Sequence, residues 1–317
     1  MLSDITLQRS IGDKGFRGIA TSTLTFRMYS EFDVISTGDS VVFSECTVPM
    51  EVTTATKDGN IYSVTACDKC KNLDIPFDYS GYSPGAYPTA TVCGAVASQC
   101  GFLGVSISGR VTSIGYLDMK DKTCRQILED ISVANCGFWY AAESGNLAFR
   151  TFSASSGSLV IPASDRTEVN HGTEKYITGI YSEDTTYNKI YTNNAAWTQT
   201  EIISGRYMTQ ANAQAVLAQI AGYTYKGWDV TAAVNGIDDL GTAYSYGMVL
   251  RQSYRFGAQI IVQMGADSPD VSYSSYMPLI QRQVNERVKL GERYGCTKSD
   301  QNGLNIVTTE TAVVNSG

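Results

Sequence analysis

The hydrophobic period of this chain changes along its length, and that change limits the folds open to it. In Thr23-Leu24-Thr25-Phe26-Arg27-Met28 the apolar side chains alternate, the two-residue period of a half-buried strand. In the middle of the chain the apolar spacing becomes three and four, the period of a helix face. Farther on alternation returns, interrupted by one more helical stretch. Strand-rich, mixed, then strand-rich again predicts an α+β protein that is mostly β.

Turn chemistry divides the first segment. Gly38-Asp39 precedes Ser40-Val41-Val42-Phe43. Asp58-Gly59 lies between Val52-Thr53-Thr54-Ala55 and Ile61-Tyr62-Ser63-Val64, which predicts a hairpin turn with positive φ at both of those residues. Several short strands with turn signals predict a small sandwich or barrel.

The middle segment carries a near-repeat. Pro88-Thr89 opens a helix whose buried face is Val92, Cys93, Val96, Ala97 and Cys100, and Gly101 is expected to stop it in the left-handed conformation. A second helix is predicted from an N-cap at Thr123, with Cys124, Ile127, Leu128, Ile131 and Ala134 as its stripe and Val133 to one side. Gly137 is expected to stop that helix as Gly101 stops the first. Gln99-Cys100-Gly101-Phe102 and Asn135-Cys136-Gly137-Phe138 therefore read as one device used twice: a small buried residue, a glycine stop, and a Phe that re-enters the core. After the second copy, Phe138 to Ala142 and Leu147 to Phe152 flank Gly145-Asn146 as an aromatic hairpin. Ser153 to Gly157 reads as a small-residue linker.

Strands are predicted again over 175–181 and 189–192. A third helix is predicted near Thr209 to Ala221 with Ala213, Val216, Leu217 and Ile220 buried. Further strands are expected over 228–234, 248–250, 255–263 and 282–290, and one more within 303–317 before a frayed end.

The chemistry-bearing residues are sparse. At 317 residues the chain has room for two or three domains, and its net charge of −7 disfavours nucleic acid as a binding partner. Only 17% of residues are charged, against 29 glycines and 20 tyrosines, which favours sheets and large contact surfaces over disorder. Met1-Leu2-Ser3-Asp4 lacks the basic and apolar regions of an export signal, and no apolar run is long enough to span a membrane. The cysteines, at Cys46, Cys67, Cys70, Cys93, Cys100, Cys124, Cys136 and Cys296, are therefore expected as reduced thiols acting as small hydrophobes. Cys67-Asp68-Lys69-Cys70 has metal-ligand spacing, but a structural zinc needs a second ligand pair, and Cys93 and Cys100 are badly spaced to supply it. His171, the single histidine, sits among turn formers in Asn170-His171-Gly172, and no nucleophile elbow or phosphate loop occurs. Glu129-Asp130 reads as a solvated helix face, and Asp238-Asp239 as a turn before a strand. Tyr223, Tyr225, Trp228, Tyr244, Tyr246, Tyr254, Tyr273 and Tyr276 suit sheet packing with subunit contact, or a sugar-binding surface. No catalytic, cofactor-binding or metal residue is expected, and the chain is not expected to be an enzyme.

The order of parts resembles the baseplate hub proteins of phage tails and related contractile injection systems, over about residues 5–307. The stretches that carry the resemblance are Thr23 to Phe26 with Thr37-Gly38-Asp39-Ser40-Val41, Tyr62 to Asp68, Thr89 to Phe102, Thr123 to Phe152, and Tyr187-Asn188-Lys189-Ile190. Asp239-Leu240-Gly241 lies where many hubs carry a Leu-Gly-Asp turn, and the aspartate after the glycine is missing here. The resemblance implies two tube-like β-barrel domains, over 1–85 and 159–295, bracketing a small α+β domain over 86–158, with a C-terminal strand and tail over 296–317. It implies a homotrimer whose six barrels form a ring between a sixfold tail tube and a threefold spike or tip. The implied partners are the tube or distal tail protein, the spike or tip protein and the tape-measure protein. The implied location is the virion tail, assembled in the host cytoplasm. An acidic balance suits a lumen through which DNA slides. The alternatives are the hub-like module of a tail-associated lysin, which would continue into a peptidase or muramidase domain, and a carbohydrate-binding β protein.

Overall fold

The computed structural model describes residues 2–11, 15–32, 34–153, 157, 159–183, 189–193, 200–203, 205–269, 297–298 and 306–307. They fall into two compact units, Met1–Val271 and Ser272–Gly317. The first unit begins with β1 (Leu2–Ile11), β2 (Ala20–Tyr29), β3 (Ser40–Phe43), β4 (Cys46–Asp58) and β5 (Ile61–Asp68), followed by a 3-10 turn over Lys69–Asp74. The mixed segment supplies β6 (Ala86–Pro88), α1 (Thr89–Gln99), β7 (Val105–Ser106), β8 (Ser113–Gly115), α2 (Tyr116–Met119), α3 (Cys124–Asn135), β9 (Gly137–Ala141) and β10 (Leu147–Thr151). Then come β11 (Asn170–Tyr176), β12 (Gly179–Glu183), β13 (Lys189–Asn193), β14 (Thr200–Ile202), α4 (Gln210–Ile220), β15 (Thr224–Val234), β16 (Ala243–Tyr244), β17 (Gly247–Met248), β18 (Arg251–Phe256) and β19 (Ile260–Ala266). The described strands of the second unit are β20 (Thr297–Lys298) and β21 (Ile306–Val307), an antiparallel pair.

The protein is mostly β, as its alternation predicts. No closed barrel forms among the described residues. The strands at the two ends of the first unit instead join in one nine-stranded sheet, in the order β11-β15-β19-β18-β1-β2-β5-β4-β3. The joint is β1, which pairs antiparallel with β2 on one side and β18 on the other. Register places a single row across seven strands: Ala232, Val262, Tyr254, Leu7, Leu24, Ala66 and Val52. Every member is buried, and full burial of a Val or Leu is worth roughly 1.5–3 kcal/mol. This row, more than any turn, holds the two β-rich segments to one core.

That first core also takes the inner face of α4 (Ala213, Val216, Leu217 and Ile220), the stripe read from its sequence. Thr209 caps the helix by accepting from the Asn212 amide at 3.2 Å. A second core belongs to the mixed segment. It gathers Cys70, Leu73 and Phe77 with Val92, Cys93, Val96 and Ala97 of α1 and Cys124, Ile127, Leu128, Ile131 and Ala134 of α3. The start of α3 follows its predicted capping: Thr123 accepts from the Gln126 amide at 3.2 Å while the Gln126 side chain accepts from the Thr123 amide at 3.0 Å, a reciprocal box.

Four local expectations are corrected. Gly101 is left-handed, with φ +81°, but Gly137 is not; the left-handed residue after α3 is Cys136, at φ +54° and ψ +71°. The hairpin between β4 and β5 turns on Gly59-Asn60, since Asp58 pairs with Ile61, and of these residues only Gly59 has positive φ. The segment 175–181 does not run as one strand: Tyr176 ends β11, and Gly179 begins β12 in a separate sheet with β13 and β14. The segment 255–263 contains the turn between β18 and β19 around Gly257. The strand expected over 282–290 lies outside the described residues.

Candidate functional site

The residues considered for chemistry do not assemble. His171 is not in a turn: it lies exposed on β11, opposite Trp228 of β15. Glu129 is exposed on α3, as expected of a solvated face, and Asp130 pairs with Lys122. Cys67 sits 3.7 Å from the Thr23 hydroxyl while Cys70 is fully buried in the second core. Among the described residues no group of three or more His, Cys, Asp or Glu side chains is arranged to hold a metal ion, and no helix is long and apolar enough to cross a membrane.

The tyrosines resolve toward packing. Tyr225, Trp228, Tyr244, Tyr246 and Tyr254 are buried. Their polar tips are used inside: the Ile161 amide donates to the Tyr246 hydroxyl at 2.7 Å, and Trp228 donates to the Met248 carbonyl at 2.9 Å. A sugar needs exposed ring faces, and these rings present none. Tyr273 and Tyr276 lie outside the described residues.

Asp238-Asp239 is a junction that its sequence did not reveal. The Asp238 carbonyl accepts from Arg9 of β1 at 3.1 Å and from Gln252 of β18 at 3.0 Å, and its amide donates to the Tyr254 hydroxyl at 2.9 Å. Its carboxylate takes the Tyr244 hydroxyl. Asp239 pairs with Arg150 of β10 at 3.3 Å. The turn thus ties the large sheet to the hairpin of the mixed segment.

Beside it a cleft of about 340 Å³, counted with its open mouth, is lined by Arg9, Ser22, Asp68, Tyr140, Arg150 and Asp239 among others. Asp68 is 2% exposed and accepts from the Cys70 amide at 3.0 Å. Burial pushes its carboxyl up to about 6, against the opposing pull of hydrogen bonds from Ser22 and Cys70. With two cations and two carboxylates on its wall, the cleft has no clear preference for an ion of either sign.

The features that suit assembly are the sheet's two ends. At one end β3 is a four-residue strand with Val42 well exposed; at the other, β11 is exposed at six of its seven residues. The buried exception, Lys175, forms an ion pair with Glu201 of β14 at 2.8 Å, both side chains 3% exposed. This pair anchors the edge strand to the smaller sheet of β12, β13 and β14. Among the described residues each end strand pairs with a single neighbour, β4 for β3 and β15 for β11, and the two ends differ in length and side chains.

No protein-family model matches the chain, and no curated protein matches it in sequence. The fold is that of solved phage tail proteins. The prophage tail protein gp18 from Listeria monocytogenes superposes with a TM-score of 0.56 at 11% identity, over 90% of this chain and 93% of that one. The tail protein from Neisseria meningitidis gives 0.54 at 10% identity, over 84% and 92%. The 43 kDa tail protein of prophage MuSo2 from Shewanella oneidensis gives 0.51 at 13% identity, over 85% and 96%.

Proposed function

We propose that the chain is a structural subunit of a phage-type tail, acting in the baseplate as a hub and not as an enzyme. Three copies form a ring that joins a sixfold tube to a threefold spike or tip and leaves a passage for DNA. The observation that carries this reading is the nine-stranded sheet with unlike ends, in a fold shared with tail proteins along most of their length. A cyclic assembly needs each subunit to offer two different faces, and closing a ring removes exposed strand edges. In such a ring the segments 1–85 and 159–295 act as the two tube-like domains, and the mixed segment braces them from outside. The tube or distal tail protein, the spike or tip protein and the tape-measure protein are the partners, and the virion tail is the location. The burial of Tyr244, Tyr246 and Tyr254 weighs against a carbohydrate-binding protein.

The test is an averaged electron-microscopy map of an intact tail tip containing this chain. Three copies at the level between tube and tip are expected. Six copies, one copy, or absence of the chain from the particle overturns the reading.

A further inference from the structure

Between the end of β15 and the Asp238 junction the chain carries an exposed pair, Asn235-Gly236. β15 ends at Val234, whose ladder partner is Ile260, so neither residue belongs to the sheet. Both lie in a bend, and a Cβ built on Gly236 would meet nothing within 4 Å. Among the described residues no hydrogen bond holds the Asn235 side chain or the Gly236 amide. Other asparagines are placed differently. Asn135 is 2% exposed, and its side-chain oxygen accepts from the Arg110 and Val111 amides at 2.6 and 3.0 Å. The side chains of Asn72 and Asn212 donate to the Cys100 and Tyr207 carbonyls at 3.3 and 2.7 Å. Asn60 is exposed, but Ile61, which follows it, is branched and stands in β5 opposite Asp58.

We propose that Asn235 is a site of spontaneous deamidation, converted through a cyclic imide with Gly236 into aspartate and isoaspartate. The Gly236 main-chain nitrogen gives up its proton and attacks Asn235 Cγ. The bond from Cγ to the carboxamide nitrogen breaks, and that nitrogen leaves as ammonia with the transferred proton. Water then adds to one of the two carbonyls of the five-membered imide. Opening at Cγ restores the main chain and leaves aspartate. Opening at the main-chain carbonyl leaves isoaspartate, with the chain running on through the side chain. One water is consumed and one ammonia released, and nothing is oxidised or reduced. The attack needs a following amide that is free of the sheet ladder and uncrowded by a Cβ. Gly236 meets both conditions.

The change falls where it has leverage. Ile237 packs against the first core, and the Asp238 carbonyl takes Arg9 and Gln252. Isoaspartate inserts one extra carbon into the main chain just before these contacts, and either product adds a negative charge close to Asp238 and Asp239. On the tail reading above, an assembled particle does not renew its subunits, so the conversion accumulates with the particle's age. The chemistry itself does not depend on that reading and is tested on the purified chain.

The folded protein is held in mildly alkaline buffer at physiological temperature for several weeks, and samples are digested for peptide mapping by mass spectrometry. The peptide containing Asn235 is expected to gain close to one dalton and to split into two chromatographic forms, of which the isoaspartyl form takes a methyl group from an isoaspartate methyltransferase. The peptides of Asn72, Asn135 and Asn212 are expected to stay unchanged over the same period. Gly236→Ile, whose side chain has open space to enter, is expected to abolish the shift, because the branched side chain crowds the attacking nitrogen. Asn235→Gln is expected to abolish it too, because the longer side chain has to close a six-membered ring. Either variant suffices if the other does not fold. Recovery of Asn235 unchanged from the folded protein overturns the proposal, as does conversion in Gly236→Ile at the wild-type rate.

Discussion

Cys100-Gly101-Phe102 and Cys136-Gly137-Phe138 share three letters and the same place after a helix, but the chain handles them differently. In the first copy Gly101 takes the left-handed conformation, with open space where a Cβ would stand. Cys100 and Phe102 both stay in the second core. In the second copy Cys136 takes the left-handed conformation in place of the glycine. Gly137 enters β9 directly, where a Cβ would meet the Arg150 carbonyl oxygen at 2.2 Å and Thr151 Cα at 2.9 Å. The reason is location. Cys136 and Phe138 belong to the first core and Trp139 to the second, so successive residues of one strand face two interiors, with the side-chain alternation of a strand. The lesson is that a glycine after a helix has two separate uses, freedom in φ and absence of bulk. The neighbours in space decide which is needed.

The largest expected effect tests the two-core position. Phe138→Ala and Phe102→Ala each remove a buried ring, at roughly 3–5 kcal/mol. The difference should appear in hydrogen exchange. Phe138→Ala is expected to lower protection in both β15 and α3, and Phe102→Ala in α1 and α3 alone. Identical exchange patterns for the two variants would break the comparison.

The glycines come next. Gly137→Ala should cost roughly 3 kcal/mol, because backbone atoms must move. Gly101→Ala should cost about 1 kcal/mol, from left-handed strain in open space. Chemical denaturation of the pair reads this directly; equal losses would mean that φ, not bulk, governs both sites.

The smallest effect sharpens the other crossing between the cores, where the chain passes from Ala66 through Asp68 to Cys70. The Asp68 carboxyl is raised from 3.8 to about 6 in the folded protein, so between those values the folded state holds the proton more often than the unfolded one. Stability should therefore fall as pH rises from about 4 to about 6, by on the order of 2 kcal/mol. Asp68→Asn keeps an oxygen for Ser22 and the Cys70 amide. It should flatten this slope, matching wild type at pH 4 and exceeding it at pH 7. A stability difference that is constant over that range would show that Asp68 does not titrate there.

What was legible in the sequence follows from how local each instruction is. Thr123 and Gly101 act on backbone groups within a few residues, and their caps formed as read. The buried stripes of α1, α3 and α4 also formed, because a helix face is set by its own spacing. Val133, set to one side of the α3 stripe, proved to face the first core. Pairing was not legible: nothing near Leu7 indicates Tyr254 as its neighbour, and alternation marks a buried face without saying what covers it. This is why two β-rich segments read as separate barrels meet in one sheet among the described residues. The Asp238 junction stayed hidden for the same reason, since Arg9 and Gln252 both reach its main-chain carbonyl, which no sequence pattern marks.

The central place of β1 also bears on the order in which the molecule can be made. Its partner on one side, β2, leaves the ribosome almost at once, but β18 is not translated until residue 251. At about 5–20 residues per second that is a wait of roughly 12–50 s, during which one side of β1 stays unpaired and open to other nascent chains. The mixed segment, made of neighbours in sequence, can close its own core in that interval. Synthesis therefore favours a finished brace waiting for an unfinished sheet, and the interval before β18 arrives is when a chaperone would matter most.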